Sequence, residues 1–320
     1  MPFADLDPHQ KAILSDDFGV AIATQFLYDR FGGFTDIIDG RRFILQFPHR
    51  IRRRAPRTAK VGPTKSSDFV IKDLSGKWHV LECKGTQSGR NFRNKFLQAA
   101  ISQKQTIQIM GRLRGERLAA GISISNEIDQ QETQLRIVDP DGEEPLIELG
   151  NADEDEVEAA ASRLSVARGL GVIGLDLMAS ELSMPIADEE NLSADFLRPS
   201  EIDRRRRPRS DRYEEAVQQL RTRELQTFRR GGQPFEGRSL GMPLPELGRD
   251  ASFNFVEVRQ GIAHEMLSAL EARPLAGLTE AHGRSEIYGR QRQISLQSDH
   301  RRVVLKYGDI LYSEVIFRRR

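Results

Sequence analysis

The sequence predicts an α/β protein whose N-terminal part runs helix, strand, strand, strand, helix, strand. Three stretches carry this prediction. Residues 16–31, DDFGVAIATQFLYDRF, place Phe18, Ile22, Phe26 and Leu27 at helical spacing before Gly32-Gly33. Residues 65–89, KSSDFVIKDLSGKWHVLECKGTQSG, read as a β-hairpin, apolar at 69–71 and 78–81 with Ser75-Gly76 in the turn between. Beyond it Phe92, Phe96, Leu97, Ala100, Ile101 and Gln105 mark a second amphipathic helix, and 117–125, RLAAGISIS, read as a buried strand. A helical extension and a small C-terminal α+β unit follow, giving segments 1–128, 129–200, 201–250 and 251–320.

A chain of 320 residues with 38% hydrophobic and 30% charged residues is long enough for about two globular domains and is not disordered throughout. Its net charge of +1 conceals local segregation and says little about partners. The single cysteine excludes a disulfide framework within the chain and fits a reducing compartment. The start, MPFADLDPHQKAIL, lacks a basic region followed by an apolar run, so no signal peptide is expected. No stretch reaches the ~18 apolar residues of a membrane span. The expectation is a cytoplasmic protein without membrane contact.

Asp16 or Asp17 can cap or charge the first helix, and 42–47, RFILQF, reads as the first strand. Residues 41–67 then carry nine Lys or Arg and no acid. Such a run ordinarily forms a solvated loop. This one delivers the chain into Asp68, so Arg50, Arg52, Arg53, Arg54, Arg57, Lys60 and Lys65 are read as a track for phosphates. Residues 139–158 reverse the charge, with ten Asp or Glu and no base, as suits a loop entering a helix N-terminus. A helix over 154–183 follows, interrupted near Gly169, Gly171 and Gly174. The arginines of 204–209 read as a solvated linker, 211–230 as an exposed helix and 231–250 as a second linker. The last segment reads as a helix over 253–270 and strands over 292–298, 302–307 and 310–317. His264-Glu265 lacks the second histidine of a zinc-protease motif. Trp78, His79 and Cys83 are read as core.

Chemistry converges on the hairpin. Side chains alternate along a strand, so Glu82 and Lys84 face one way and Cys83 the other. Antiparallel pairing sets Asp68, at the start of one strand, beside Glu82 near the end of the next. Two carboxylates and an ammonium then share one corner. Rigid carboxylates suit Mg²⁺, which polarises a phosphoryl oxygen and acidifies water. Lys84 can orient or help deprotonate the attacking water, or neutralise charge developing on phosphorus.

Asp68 followed by Glu82-Cys83-Lys84, within that order of helices and strands, resembles the PD-(D/E)xK nuclease superfamily over about residues 10–128. The resemblance implies a restriction-endonuclease-like core in which Asp68 and Glu82 bind Mg²⁺, with Mn²⁺ as a substitute, and Lys84 is the catalytic lysine. It also implies an accessory glutamine on the helix after the third strand, for which Gln98 and Gln103 are the candidates. Many members add an acid from the first helix, and Asp17 is the candidate here. Ser67 stands where the motif has proline.

The function expected is Mg²⁺-dependent hydrolysis of DNA, in bacterial restriction, anti-phage defence or repair. A helicase or ATPase subunit or a second copy of the chain are the expected partners. The alternative is a non-catalytic nucleic-acid-binding or assembly subunit that keeps the fold.

Overall fold

Asp7 opens the first helix, α1 (Pro8–Phe31), by accepting from the N–H groups of His9 and Gln10 while the Gln10 side chain accepts from the Asp7 N–H. Gly32, at φ 71°, closes it. The helix thus begins two turns before Asp16 and Asp17, which sit inside it rather than at its cap. The computed structural model describes residues 7–51, 66–104, 106–125, 132–139, 145, 147–150, 153–185, 199–222, 224–243, 253–272, 294–299 and 301–319. The fold is mixed α/β, with eight α-helices among the described residues, which fall into two units that divide between Glu154 and Asp155.

The first unit continues with β1 (Phe34–Asp39), α2 (Gly40–Leu45), β2 (Phe69–Asp73), β3 (Trp78–Thr86), α3 (Arg90–Lys104), β4 (Ile107–Ile109), β5 (Arg114–Ser123), β6 (Gln134–Val138) and β7 (Ile147–Leu149). Its main sheet has the order β1-β2-β3-β5-β6. The β1, β2 and β3 neighbours are antiparallel, β3 and β5 are parallel through the α3 crossover, and β6 returns antiparallel on β5. β4 and β7 form a separate parallel pair. Gln134–Val138 and Ile147–Leu149 are therefore strands of this unit, within the segment that the sequence suggested as a helical extension.

The expected strand over 42–47 is largely the helix α2. Phe43, Ile44 and Leu45 are all buried, a consecutive rather than alternating pattern, and the Asp39 side chain caps the helix by accepting from the Arg42 N–H. The first strand is β1 instead. Phe43 packs tilted on Phe47 and Trp78, which seats α2 against the sheet.

Two glycines show which helix covers which face. A side chain on Gly85 of β3 would overlap the Ser15 carbonyl of α1. One on Gly121 of β5 would press on Arg93 and Leu97 of α3, at 3.1 and 3.5 Å. Gly121 is the register partner of Lys84, not of Gly85, so the two helices lie on opposite faces.

The second unit comprises α4 (Glu154–Val172, from the junction), α5 (Asp176–Ser183), α6 (Pro199–Arg205), α7 (Arg209–Thr222), β8 (Gln226–Arg230), β9 (Gln233–Pro243), β10 (Phe255–Ala263), α8 (His264–Ala272), β11 (Ile294–Ser298), β12 (Arg302–Tyr307) and β13 (Leu311–Arg318). Gly174, at φ 79°, lies in the expected break between α4 and α5. The six strands form one antiparallel sheet in the order β11-β12-β13-β10-β9-β8. Three expectations change here. The exposed helix ends at Thr222 and becomes β8, the second linker is mostly β9, and the helix over 253–270 begins as β10. β10 pairs along its length with β9 and β13, and that pairing overrides the helical spacing of its apolar residues. The arginine run is not a linker either. Arg204 and Arg212 meet the buried Glu181 of α5, and Arg207 pairs with Glu215. No helix among the described residues is long and apolar enough to cross a membrane.

Candidate active site

The site is built on the β2–β3 hairpin. Its turn is pinned by Asp73, which accepts from Ser75 N, Ser75 Oγ and Lys77 N at 2.8, 2.8 and 2.9 Å and meets His79 Nε2 at 3.1 Å. That turn fixes the register, Phe69 opposite Leu81, and so sets Asp68 beside Glu82. A slip of one residue would turn Glu82 and Lys84 to the α1 face.

The corner closes through its own backbone. The Asp68 N–H donates to Glu82 Oε2 at 2.9 Å, and the Cys83 N–H donates to Asp68 Oδ2 at 2.7 Å. The Lys84 ammonium sits against Glu82 Oε1. Glu82 is 0% exposed, whereas 27% of the Lys84 side chain reaches solvent. Burial pushes the Glu82 carboxyl up to about 8; the Asp68 charge adds to this and Lys84 opposes it. Burial raises Asp68 as well, against the Cys83 hydrogen bond and the attraction of Lys84. For Lys84 burial acts downward, but the Glu82 carboxylate outweighs it and the ammonium is held above its ordinary value. Cys83 is buried on the other face and burial raises its thiol, which fits a core filler.

α1 contributes an acid that the sequence reading missed. Ser15 and Gly19 are the buried residues of its contact with β3, and a side chain at Gly19 would stand 2.8 Å from Gly85 N. Successive helical residues turn by ~100°, so Asp16 flanks that contact while Asp17 points well away from it. Asp16 accordingly raises the pKa of both Asp68 and Lys84, and Asp17 has no described interaction with either. Asp39, whose strand neighbour is Phe69, is a further acid acting on Asp68. A glycine one turn after an acid was the available signal for Asp16, but it becomes legible only once Gly85 is known to lie opposite.

On α3, Leu97 and Ala100 are buried against the sheet. Gln98 and Gln103 fall on opposite flanks of that contact by the same ~100° rotation. Right-handed crossover from β3 to β5 sends the Gln103 flank toward β2 and the Gln98 flank toward β6. Gln98 is exposed. Gln103 is half-buried, and its carbonyl accepts from Thr106 Oγ1, which in turn accepts from the Ser67 N–H at 3.3 Å. Gln103 is therefore the glutamine on the Asp68 side.

Of the basic track, Arg50 is described and forms an ion pair with the largely buried Asp153. Arg52, Arg53, Arg54, Arg57, Lys60 and Lys65 lie outside the described residues. Among those described, no group of three or more His, Cys, Asp or Glu side chains is arranged to hold a metal ion. No protein-family model, curated protein or solved structure matches the chain.

Proposed function

We propose that this chain is a Mg²⁺-dependent nuclease that hydrolyses DNA phosphodiester bonds at Asp68, Glu82 and Lys84, on a restriction-endonuclease-like core. The observation that carries the reading is the joining of these three residues at one corner, Asp68 N–H on Glu82 Oε2 and Lys84 on Oε1. The order of α1, β1, β2, β3, α3 and β5, with α2 and β4 inserted, supports it.

The donor set suits a hard divalent cation, since it offers carboxylate oxygens whose pKa values are raised first by burial, with the Asp68 charge adding to that at Glu82 and those of Asp16 and Asp39 at Asp68. Asp68 and Glu82 would hold Mg²⁺ or Mn²⁺, with Asp16 the nearest further acid from α1. When bound, the ion supplies polarisation of the phosphoryl oxygen and acidifies water. The chain's own residues do the positioning: the N–H groups of Asp68 and Cys83 fix the two carboxylates before substrate arrives. Lys84 is held protonated by its acidic neighbours, which favours neutralising charge on phosphorus over acting as a base.

Purified protein incubated with linear, circular and single-stranded DNA, in Mg²⁺, Mn²⁺ or EDTA, tests this. Cleavage is expected only with a metal ion, and is lost in Glu82→Ala and Lys84→Ala. Cleavage that persists in either variant overturns the mechanism. The complete burial of Glu82, engaged on both oxygens, favours the second reading, a non-catalytic nucleic-acid-binding subunit. Metal-independent DNA binding without cleavage is its signature.

A further inference from the structure

α3 holds two aromatic rings in solvent. Phe92 is 49% exposed and Phe96 37%, one turn apart, with ring centroids separated by 6.4 Å. An exposed ring pair at this spacing stabilises a helix only slightly, so helix formation does not account for it. Neither ring serves the sheet contact, which is made by Arg93, Leu97 and Ala100.

Position and charge point to a partner. Phe92 and Phe96 share the Gln103 flank, the one directed toward β2 and the Asp68 corner. Phe96 adjoins Leu97, and Leu97 lies over Gly121, the register partner of Lys84, so the ring is level with Lys84 along the strand. Residues 90–104 carry Arg90, Arg93, Lys95 and Lys104 and no acid at all. Arg90 and Lys95 are exposed beside the rings. Paired aromatic faces set among cations match a chain that offers flat bases and phosphates together. A duplex keeps its base faces stacked inside and gives the rings nothing to contact.

We propose that Phe92 and Phe96 are a stacking platform for unpaired bases, so that the substrate class of the adjacent site is single-stranded DNA. Arg90 and Lys95 hold the backbone while the rings take the bases, without sequence preference, because every base has a π-face. The substrate assignment rests on the nuclease reading; the stacking itself is a property of binding and can be measured without turnover.

The test uses the full chain in EDTA with a short single-stranded DNA containing 2-aminopurine, and the corresponding blunt duplex. Affinity is read by anisotropy and stacking by quenching of the aminopurine. Single-stranded DNA should bind at least about tenfold more tightly than duplex, with quenching. Phe92→Ala/Phe96→Ala should lose about tenfold or more in affinity, together with the quenching, while the slope of affinity against salt stays as in the parent because the phosphate contacts remain. Phe92→Trp/Phe96→Trp should retain both. Equal affinity for single strand and duplex, or an alanine variant that binds like the parent, overturns the platform. A parallel incubation with Mg²⁺ separates the two readings. Ring-dependent binding without cleavage upholds the platform and sinks hydrolysis, whereas cleavage with ring-independent binding sinks the platform alone.

Discussion

Glu82 accepts the backbone N–H of Asp68 at 2.9 Å, and Asp68 accepts the backbone N–H of Cys83, so each acid is positioned by the strand that carries the other. This arrangement confines two negative charges in a poorly hydrated corner, and the consequence is a pH dependence of stability. The Glu82 carboxyl titrates at 4.5 in an unfolded chain and at about 8 in the folded one, so the folded state binds the extra proton between those values. Its contribution is most favourable below 4.5 and is lost as pH rises through about 8. In EDTA the thermal midpoint of the parent should therefore fall across this interval relative to Glu82→Gln. Parallel pH profiles for the two proteins would remove the buried charge from the account.

Asp73 behaves in the opposite sense. Burial tends to raise its carboxyl, but the hydrogen bonds from Ser75, His79 and Lys77 prevail and hold it below the ordinary range. Its stabilisation is present above the unfolded carboxylate pKa and disappears as pH falls through the lower folded value. Asp73→Asn should cost about 1–3 kcal/mol near neutral pH, the worth of hydrogen bonds to a charged acceptor. The difference between variant and parent should shrink in acid, and urea titrations at two pH values measure it.

The hairpin and its corner were legible because they depend on local information: a two-residue period, a Ser-Gly turn, and acids spaced to meet across it. Gly32-Gly33 ended α1 as expected for the same reason. What escaped depends on partners distant in sequence. Residues 42–47 hold enough apolar side chains for a strand, but Phe43, Ile44 and Leu45 are buried in succession, with Phe43 on Trp78, and the stretch is largely a helix. β10 has helical spacing in its apolar residues and becomes a strand because β9 and β13 pair with it. Asp16 joins the corner through the meeting of Gly19 with Gly85, which no local pattern announces. Arg50 looked like part of a phosphate track, yet Asp153, far along the chain, neutralises it.

The Gly19–Gly85 contact carries its own prediction. A methyl at Gly85 would overlap the Ser15 carbonyl, which is backbone and cannot rotate aside. Gly85→Ala should cost about 3 kcal/mol or more as α1 is pushed from β3. It should also carry Asp16 away from Asp68. Circular dichroism would report the lower midpoint, and any residual cleavage should need more Mg²⁺.

For the basic run, Arg52→Ala/Arg53→Ala/Arg54→Ala should weaken DNA binding for every sequence and reduce the salt slope by about one per phosphate contact removed. Unchanged binding and slope would leave the run without a role in recognition.

In the second unit Glu314 of β13 meets three guanidinium groups, one of which, Arg259, also pairs with Glu257 at 2.6 Å. Arg230 donates to it at 2.6 Å, Arg302 pairs with its other oxygen, and Arg259 lies at 3.8 Å. Tyr312 Oη accepts from both Arg230 and Arg302, at 2.9 and 2.8 Å, and locks the pair to the same strand. The Glu314 side chain is 2% exposed, whereas that of Arg302 is 42% exposed. The centre and the rim should therefore respond differently. Glu314→Gln leaves the Arg230 and Arg302 guanidinium groups facing each other across a neutral amide, while Arg259 keeps Glu257, and should cost about 3–5 kcal/mol. Arg302→Ala removes a hydrated partner while two others still satisfy the acid, and should cost under about 1 kcal/mol. Scanning calorimetry of both variants measures the contrast, and equal losses would mean that the arginines stabilise β8, β10, β12 and β13 by packing rather than through Glu314.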